Sequence, residues 1–492
     1  MMDSPARTKT KKVADQTTYQ PLSAADSPQV TSSPAQIFAV VCVGIVMANL
    51  DLFSVNVALP QISAEFRGAT LEDLSWILNG YAIGYAALLV FFGRLAEGFR
   101  RDRSFVLGIG IFTVASAACA TASGIWELVA FRLVAAVGAA LMTPASLGVL
   151  LASFPAERRS AAVRNWAGVG GFAAALGPLV GGMLVNIDWR CIFIVNAIVG
   201  FAACVVAWIT LPPIPGHDVE RPSVCAALLV TGGIGALVFT IVKANALGWY
   251  SVSIWLSAVA AVVLLALFVA HCVKSANPLV DPKLFRIRSF TGAALAIFPY
   301  SISFGAMLFS IAVWGQSAWG WTALEAGLAM FIGPLLVPIT SLVFLARLID
   351  RYGVANVVAT GVILVVTGFC LWASSIELEA NTALVVVGMA INGVGVGLTF
   401  PTLMGVSTLG LPPSSFATGS GVFNMLRQTA MAIGVAVFVA IIGSPQDAQE
   451  RLDAFRFGWW IMALVTLISL IPIWMVLKPE SSGSQQASQS AR

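Results

Sequence analysis

Asp51 is the residue best placed for chemistry. It stands in the run Asp51-Leu52-Phe53-Ser54-Val55-Asn56-Val57-Ala58-Leu59-Pro60, well inside an apolar stretch that begins at Ile37. A carboxylate within a helix surrounded by hydrocarbon costs about 2.5–3.5 kcal/mol on insertion scales, so such a group is expected to have a use. Such an acid can take up and release a proton, with Asn56 as a polar neighbour for proton or cargo, or it can be a silent structural carboxylate held in a salt bridge. Arg132 opens another apolar stretch that starts from the same side on which the first ends. At similar depth it would compete with the proton for Asp51; otherwise it reaches the interface as a long amphipathic side chain. Gly93, Arg94, Glu97 and Arg101 lie around a charged turn, and Asp350 lies in a related one. Such turns can latch helix ends in one conformation and release them in another, or serve only as solvated positive loops. Gly170, Ala174, Gly177 and Gly181 follow i, i+4, i+7, i+11, one smooth face of a helix that also holds Pro178 and Gly182. In lipid a small-residue face lets two backbones approach, and Pro178 should bend the helix, so a sliding seam between two bundles is expected there, with a plain packing helix as the alternative. Trp76, Tyr81, Gln316, Asn392 and Asn424 are candidates to line a cavity, with interfacial or interhelical roles as the alternative.

These residues need a membrane scaffold. Hydrophobic residues make up 58% of the 492 and charged residues 10%, with a mean hydropathy of +0.89. Soluble domains carry about 25% charge, so most of this chain faces lipid or other apolar helices. The apolar runs have the length of spanning helices rather than of barrel strands. Fourteen are expected, near 37–60, 75–95, 104–124, 127–150, 163–185, 190–211, 224–245, 253–273, 291–314, 323–345, 355–374, 381–404, 417–442 and 457–477. The fold class is therefore all-α integral membrane. Polar tails are expected over 1–36 and 478–492.

An internal repeat divides the chain. Arg94-Leu95-Ala96-Glu97 recurs as Arg347-Leu348-Ile349-Asp350, and Val137-Gly138…Leu141…Pro144 recurs as Val394-Gly395…Leu398…Pro401. Gly177 has its counterpart in Gly434, while Arg132 is matched by Met389. Two pseudo-repeated six-helix bundles are expected, 37–212 and 291–477, with two inserted helices and linkers over 213–290. All but six of the 27 basic residues (Arg67, Arg132, Arg190, Lys243, Arg451 and Arg456) fall in the tails, or in loops and helix ends on the tails' side. The positive-inside rule then puts both termini in the cytoplasm.

Several classes fall away. The seven cysteines are scattered without CxxC spacing and read as small hydrophobes, and two histidines leave no metal cluster. No lysine follows a glycine, so the GxxxxGK[ST] phosphate loop is absent. Neither cofactor, metal, nucleic acid nor enzymatic step is expected. Uphill work would draw on an ion gradient, about 2.3 kcal/mol per charge per 100 mV.

Taken together the motifs resemble the major facilitator superfamily, specifically its fourteen-span drug:proton antiporter family. Asp51 to Pro60 resembles the first-helix motif. Gly93-Arg94-Leu95-Ala96-Glu97 resembles the loop 2–3 motif, with Glu97 and Gly98 where Asp and Arg are usual. Arg132…Gly138-Ala139-Ala140…Pro144 resembles the fourth-helix motif, with Ala135-Ala136 in place of Gln-Gly. Gly177-Pro178…Gly181-Gly182, followed by Trp189-Arg190…Phe193…Asn196, resembles the fifth-helix antiporter motif. Asn277 to Phe285 resembles the link into the ninth span, and Ser420-Gly421…Asn424…Arg427-Gln428 the thirteenth-helix pattern. The resemblance implies an inner-membrane antiporter exporting an amphipathic drug, antibiotic or metabolite against proton entry, by alternating access. Its partners would be substrate, protons and bilayer, and a monomer is the simplest expectation. A proton-coupled nutrient importer and a non-transporting receptor are the alternatives.

Overall fold

Ser33 opens the first helix. Its Oγ accepts from the Gln36 amide at 3.3 Å while Gln36 Oε1 accepts from the Ser33 amide at 2.9 Å. This reciprocal cap, with Pro34 pre-set for the first turn, starts the helix before the apolar run does. Pro34 to Gln36, expected in the tail, are therefore helical. The computed structural model describes residues 33–66, 68–216, 222–275, 278–409, 411 and 416–476. Most of the two expected tails, 1–32 and 478–492, lie outside the described residues, as do Arg67, Arg221 and Asn277.

The first half comprises α1 (Pro34–Glu65), α2 (Leu71–Gly98), α3 (Arg101–Ala120), α4 (Ile125–Ser153), α5 (Ala156–Val185) and α6 (Arg190–Thr210). Then come α7 (Val224–Leu247) and α8 (Val252–Lys274). The second half comprises α9 (Arg288–Ala318), α10 (Ala323–Ile339), α11 (Leu345–Tyr352), α12 (Val354–Ser375), α13 (Thr382–Thr408), α14 (Phe416–Ile442), α15 (Ala448–Ile468) and α16 (Leu470–Val476). Fourteen of the segments they form are long and apolar enough to cross a membrane. α10 and α11 are two parts of one such segment, joined by a π-turn over Thr340–Phe344. Pro334 and Pro338 lie inside α10 and each removes a backbone donor, so the ladder re-forms with a wider turn.

Packing follows the repeat. In the first half α1 packs on α5, α2 on α4, and α3 on α4 and α6; in the second α9 packs on α14, α10 on α13, and α12 on α13 and α15. The halves meet reciprocally, α5 against α10 and α2 against α14. The repeated glycines explain one of these pairs. A Cβ on Gly138 of α4 would lie 2.5 Å from the Phe112 amide of α3, and one on Gly395 of α13 would lie 2.6 Å from the Gly361 carbonyl of α12. Each bundle thus brings its third and fourth spans into backbone contact at the same step of the motif.

α7 lies against α2, α14 and α8. Lys243 of α7 pairs with Asp73 at 2.7 Å and Glu72 at 3.3 Å at the start of α2. α8 has broad apolar exposure, including Leu256 at 66% and Val262 at 69%, a surface for acyl chains.

Candidate functional site

α1 carries two sites on opposite sides of its axis. On one side Asp51 is 1% exposed and ion-paired to Nη1 of Arg132, which is 0% exposed. Asn196 of α6 donates Nδ2–H to the other carboxylate oxygen at 3.1 Å. Arg132 Nε donates to the Ile77 carbonyl of α2 at 3.3 Å, and its guanidinium carbon lies 4.2 Å from the Tyr81 ring centroid. Four helices therefore converge on one buried charge pair. The expected depth match between Asp51 and Arg132 is met. Asn196 was legible only as a motif residue, not as a ligand of Asp51.

The other side of α1 faces a central cavity. About 140 Å³ in volume, it is lined by Phe53 of α1 and Ala174 of α5, and from the second half by Tyr300 and Phe304 of α9, Phe400 of α13 and Arg427 of α14. A smaller space of about 30 Å³ is lined by Asn56 and Asn79 with apolar residues of both halves. Asn56 itself donates back to the Leu52 carbonyl at 3.2 Å. Asp51 lines neither space, because two residues along a helix turn the side chain by about 200°.

The five cavity candidates sit elsewhere; none of them lines either space. Tyr81 is spent on Arg132. Trp76 packs on Phe239 of α7, centroids 6.3 Å apart. Gln316 of α9 donates to the Val57 carbonyl of α1 at 3.1 Å, a polar bridge between the halves. Asn392 is buried against Gly368 of α12, with both polar side-chain atoms unpartnered among the described residues. Asn424 donates to the Ser420 carbonyl of its own helix at 3.1 Å. Spacing could say that these groups lie in spans but not which neighbour each one meets.

The smooth face of α5 is corrected in the same way. Cβ atoms on Gly170, Gly177 and Gly181 would lie 2.8, 2.5 and 2.8 Å from Ile45, Phe53 and Ser54, all of α1. Ser54 Oγ also donates to the Gly177 carbonyl at 2.8 Å. The stripe is thus an intra-bundle contact, not the seam. The seam lies beside it: a Cβ on Gly182 would stand 2.5 Å from the Ala323 carbonyl of α10, and one on Gly327 would strike the Pro178 carbonyl. α5 and α10 close there, at the end bearing Val185 and Ala323. Toward their other ends Gly171, Ala174, Pro334 and Val337 line the cavity.

The expected latch is also redistributed. Arg94 donates to the Pro278 carbonyl in the linker before α9, and Arg101 to the Gly148 carbonyl of α4 at 3.4 Å. Gly93 lies 3.6 Å, at an added Cβ, from Pro144 of α4. The Glu97 side chain lies outside the described residues. Asp350 is exposed and forms no ion pair among the described residues. The buried acid of this turn is Asp102, 4% exposed. It accepts from Arg100 Nη2 at 2.7 Å and from the Ile214 amide at 3.0 Å, tying the α2–α3 turn to the segment after α6. That hydrogen bond raises the Arg100 pKa. At the opposite end Glu65 accepts both Arg190 guanidinium nitrogens at 2.7 Å and Trp189 Nε1 at 2.6 Å, clamping α1 to α6. Spacing did not single out Glu65, whose partners are 124 and 125 residues away.

Two reciprocally packed bundles around a shared cavity, built from fourteen membrane-length segments, define a multi-pass membrane transporter of the secondary type. The family model described as Major Facilitator Superfamily matches residues 41–435 and again 290–492, and the chain belongs to that family. Among its relatives are the tetracenomycin C resistance and export protein of Streptomyces glaucescens, 29% identical over 85% of this chain and 77% of that protein. The methylenomycin A resistance protein of Bacillus subtilis (strain 168) is 28% identical over 91% and 95%. A probable actinorhodin transporter of Streptomyces coelicolor (strain ATCC BAA-471 / A3(2) / M145) is 31% identical over 84% and 73%. Among solved structures, a peptide transporter (POT) in complex with sulfate superposes with a TM-score of 0.66 at 16% identity, covering 90% of this chain and 96% of that one, which fixes the fold.

Proposed function

We propose that this chain is a proton-driven exporter of an amphipathic small molecule, working by alternating access from the inner membrane of a bacterium. Both termini face the cytoplasm, residues 37–212 and 291–477 form the moving bundles, and 213–290 is the insertion beside them. The relatives are named for antibiotic resistance and export, which supplies the direction. No enzymatic step is assigned, and a monomer contains every group the scheme uses.

The observation that carries the reading is the two-sidedness of α1. Asp51 is held inside the first bundle by Arg132 and Asn196, while Phe53 and Ser54 of the same turn meet the cavity and α5. A proton on Asp51 would cancel its charge, weaken its hold on α4 and α6, and let α1 shift. Because α1 is packed through Gly177 and Gly181 onto α5, that shift would reach the α5–α10 closure. Proton and cargo would then compete through one helix without sharing a pocket.

Everted vesicles loaded with a pH-sensitive dye test this. Adding a transported compound should release protons with the native chain and not with Asp51→Asn. Proton release that persists in Asp51→Asn at the native rate would remove Asp51 from the mechanism.

A further inference from the structure

Among the described residues Arg132 and Arg427 lie deep inside this transporter, and their surroundings differ. Arg132 has Asp51. Arg427, on α14, lines the central cavity and meets no carboxylate among the described residues. Among the described residues its hydrogen-bond and ring partners are the Met431 thioether at 3.9 Å, a weak acceptor, and the face of Phe400, 4.9 Å from its guanidinium carbon to the ring centroid, with the neutral Tyr85 phenol near enough to interact electrostatically. Its Nε is buried with no hydrogen-bond partner. A guanidinium offers five N–H donors in a planar fork, and leaving them unmatched in a low-dielectric space is costly unless something arrives to match them. The rest of the wall is mostly apolar and rich in rings, Phe53, Tyr300, Phe304 and Phe400 with Met307, and adds only the hydroxyls of Tyr300 and Ser301 among the described residues. No carboxylate among the described residues lines the space, so it holds one net positive charge among aromatic faces.

Resting on the export reading above, we propose that the cargo is an amphipathic organic anion. Its ring-bearing apolar body would lie against the aromatic wall, and one carboxylate would sit in the Arg427 fork. A carboxylate matches that fork with two parallel hydrogen bonds, whereas a cation would meet an uncompensated like charge. Phe400 stacks beneath the guanidinium and holds it facing the cavity.

The test is equilibrium binding to the purified full-length chain in detergent, read by fluorescence quenching, with three probes of one shape. These are 9-anthracenecarboxylate, neutral 9-anthracenemethanol and cationic 9-(aminomethyl)anthracene. The native chain should bind the carboxylate at least about tenfold more tightly than the alcohol, about 1.4 kcal/mol, with the cation weakest. Arg427→Gln should erase the preference while leaving alcohol binding unchanged, and Arg427→Lys should retain part of it. Equal binding of all three by the native chain, a preference for the cation, or an equal loss for all probes in Arg427→Gln would overturn the proposal. If the variant does not fold, the native ranking alone decides. The measurement uses no proton gradient, so loss of anion selectivity and failure of proton-driven export are read separately.

Discussion

At the scale of single residues the governing fact is that Asp51 and Arg132 are each other's solvent. Removing one partner of a buried pair leaves the other charge uncompensated, at a cost of about 3–5 kcal/mol. Asp51→Asn is therefore expected to lower thermal stability in detergent as well as to stop proton coupling. Asp51→Asn combined with Arg132→Met should recover most of the lost stability, since Met389 occupies the equivalent position of the second half, yet should remain uncoupled. Scanning both variants by thermal unfolding separates the two roles; a double variant as unstable as the single one would mean that Arg132 is needed for the fold itself. The pair was half legible in the chain. The types and depths of Asp51 and Arg132 follow from the spans they occupy, but which way each points depends on helix rotation, and rotation is set by neighbours. The same blind spot hid Asn196 and misplaced Tyr81.

At the scale of elements, helix periodicity tells which residues share a face and is silent about what that face meets. The Gly170 to Gly181 stripe illustrates this: the smooth face exists, but α1 occupies it, and the seam with α10 falls to Pro178 and Gly182 beside it. Two substitutions on one helix should therefore act differently. Gly177→Val forces a side chain into Phe53 and should destabilise the first bundle by roughly 1–3 kcal/mol, the usual penalty for overpacking. Gly182→Val meets the Ala323 carbonyl instead. It should leave the bundle's unfolding temperature nearly unchanged while abolishing transport, because the end where α5 and α10 close can no longer do so. Thermal unfolding alongside vesicle transport distinguishes them, and matched losses in both variants would show that α5 acts as one packing unit. The existence, number and order of the membrane spans, by contrast, were legible throughout, because a run of apolar residues long enough to span a bilayer has few other fates. The ends moved where capping chemistry lay outside the apolar run, as at Ser33 and Asp447.

At the scale of the whole molecule, α5 and α10 close this conformation at the end bearing Val185 and Ala323, and the central cavity lies toward their other ends. Closure at the Val185–Ala323 end rests on α5 against α10 and on the hydrogen bond from Gln316 to Val57, a polar contact between α9 and α1. A hydrogen bond of this kind contributes about 0.5–1.5 kcal/mol net, so losing it should shift the balance between the two conformations by about two- to tenfold. The shift can be read chemically. Ser301 lines the cavity, and Ser301→Cys, placed in a chain whose seven native cysteines have been replaced, gives the cavity one thiol. With the cytoplasmic orientation proposed above, a membrane-impermeant maleimide should label that thiol readily in everted vesicles and slowly from outside intact cells. Adding Gln316→Ala should speed labelling from outside by the same two- to tenfold and slow it from the cytoplasmic face. Faster labelling from both faces would mean that the halves had loosened rather than rocked. Labelling unaffected by Gln316→Ala would place the energetics of closure in the glycine-lined contact of α5 with α10 alone.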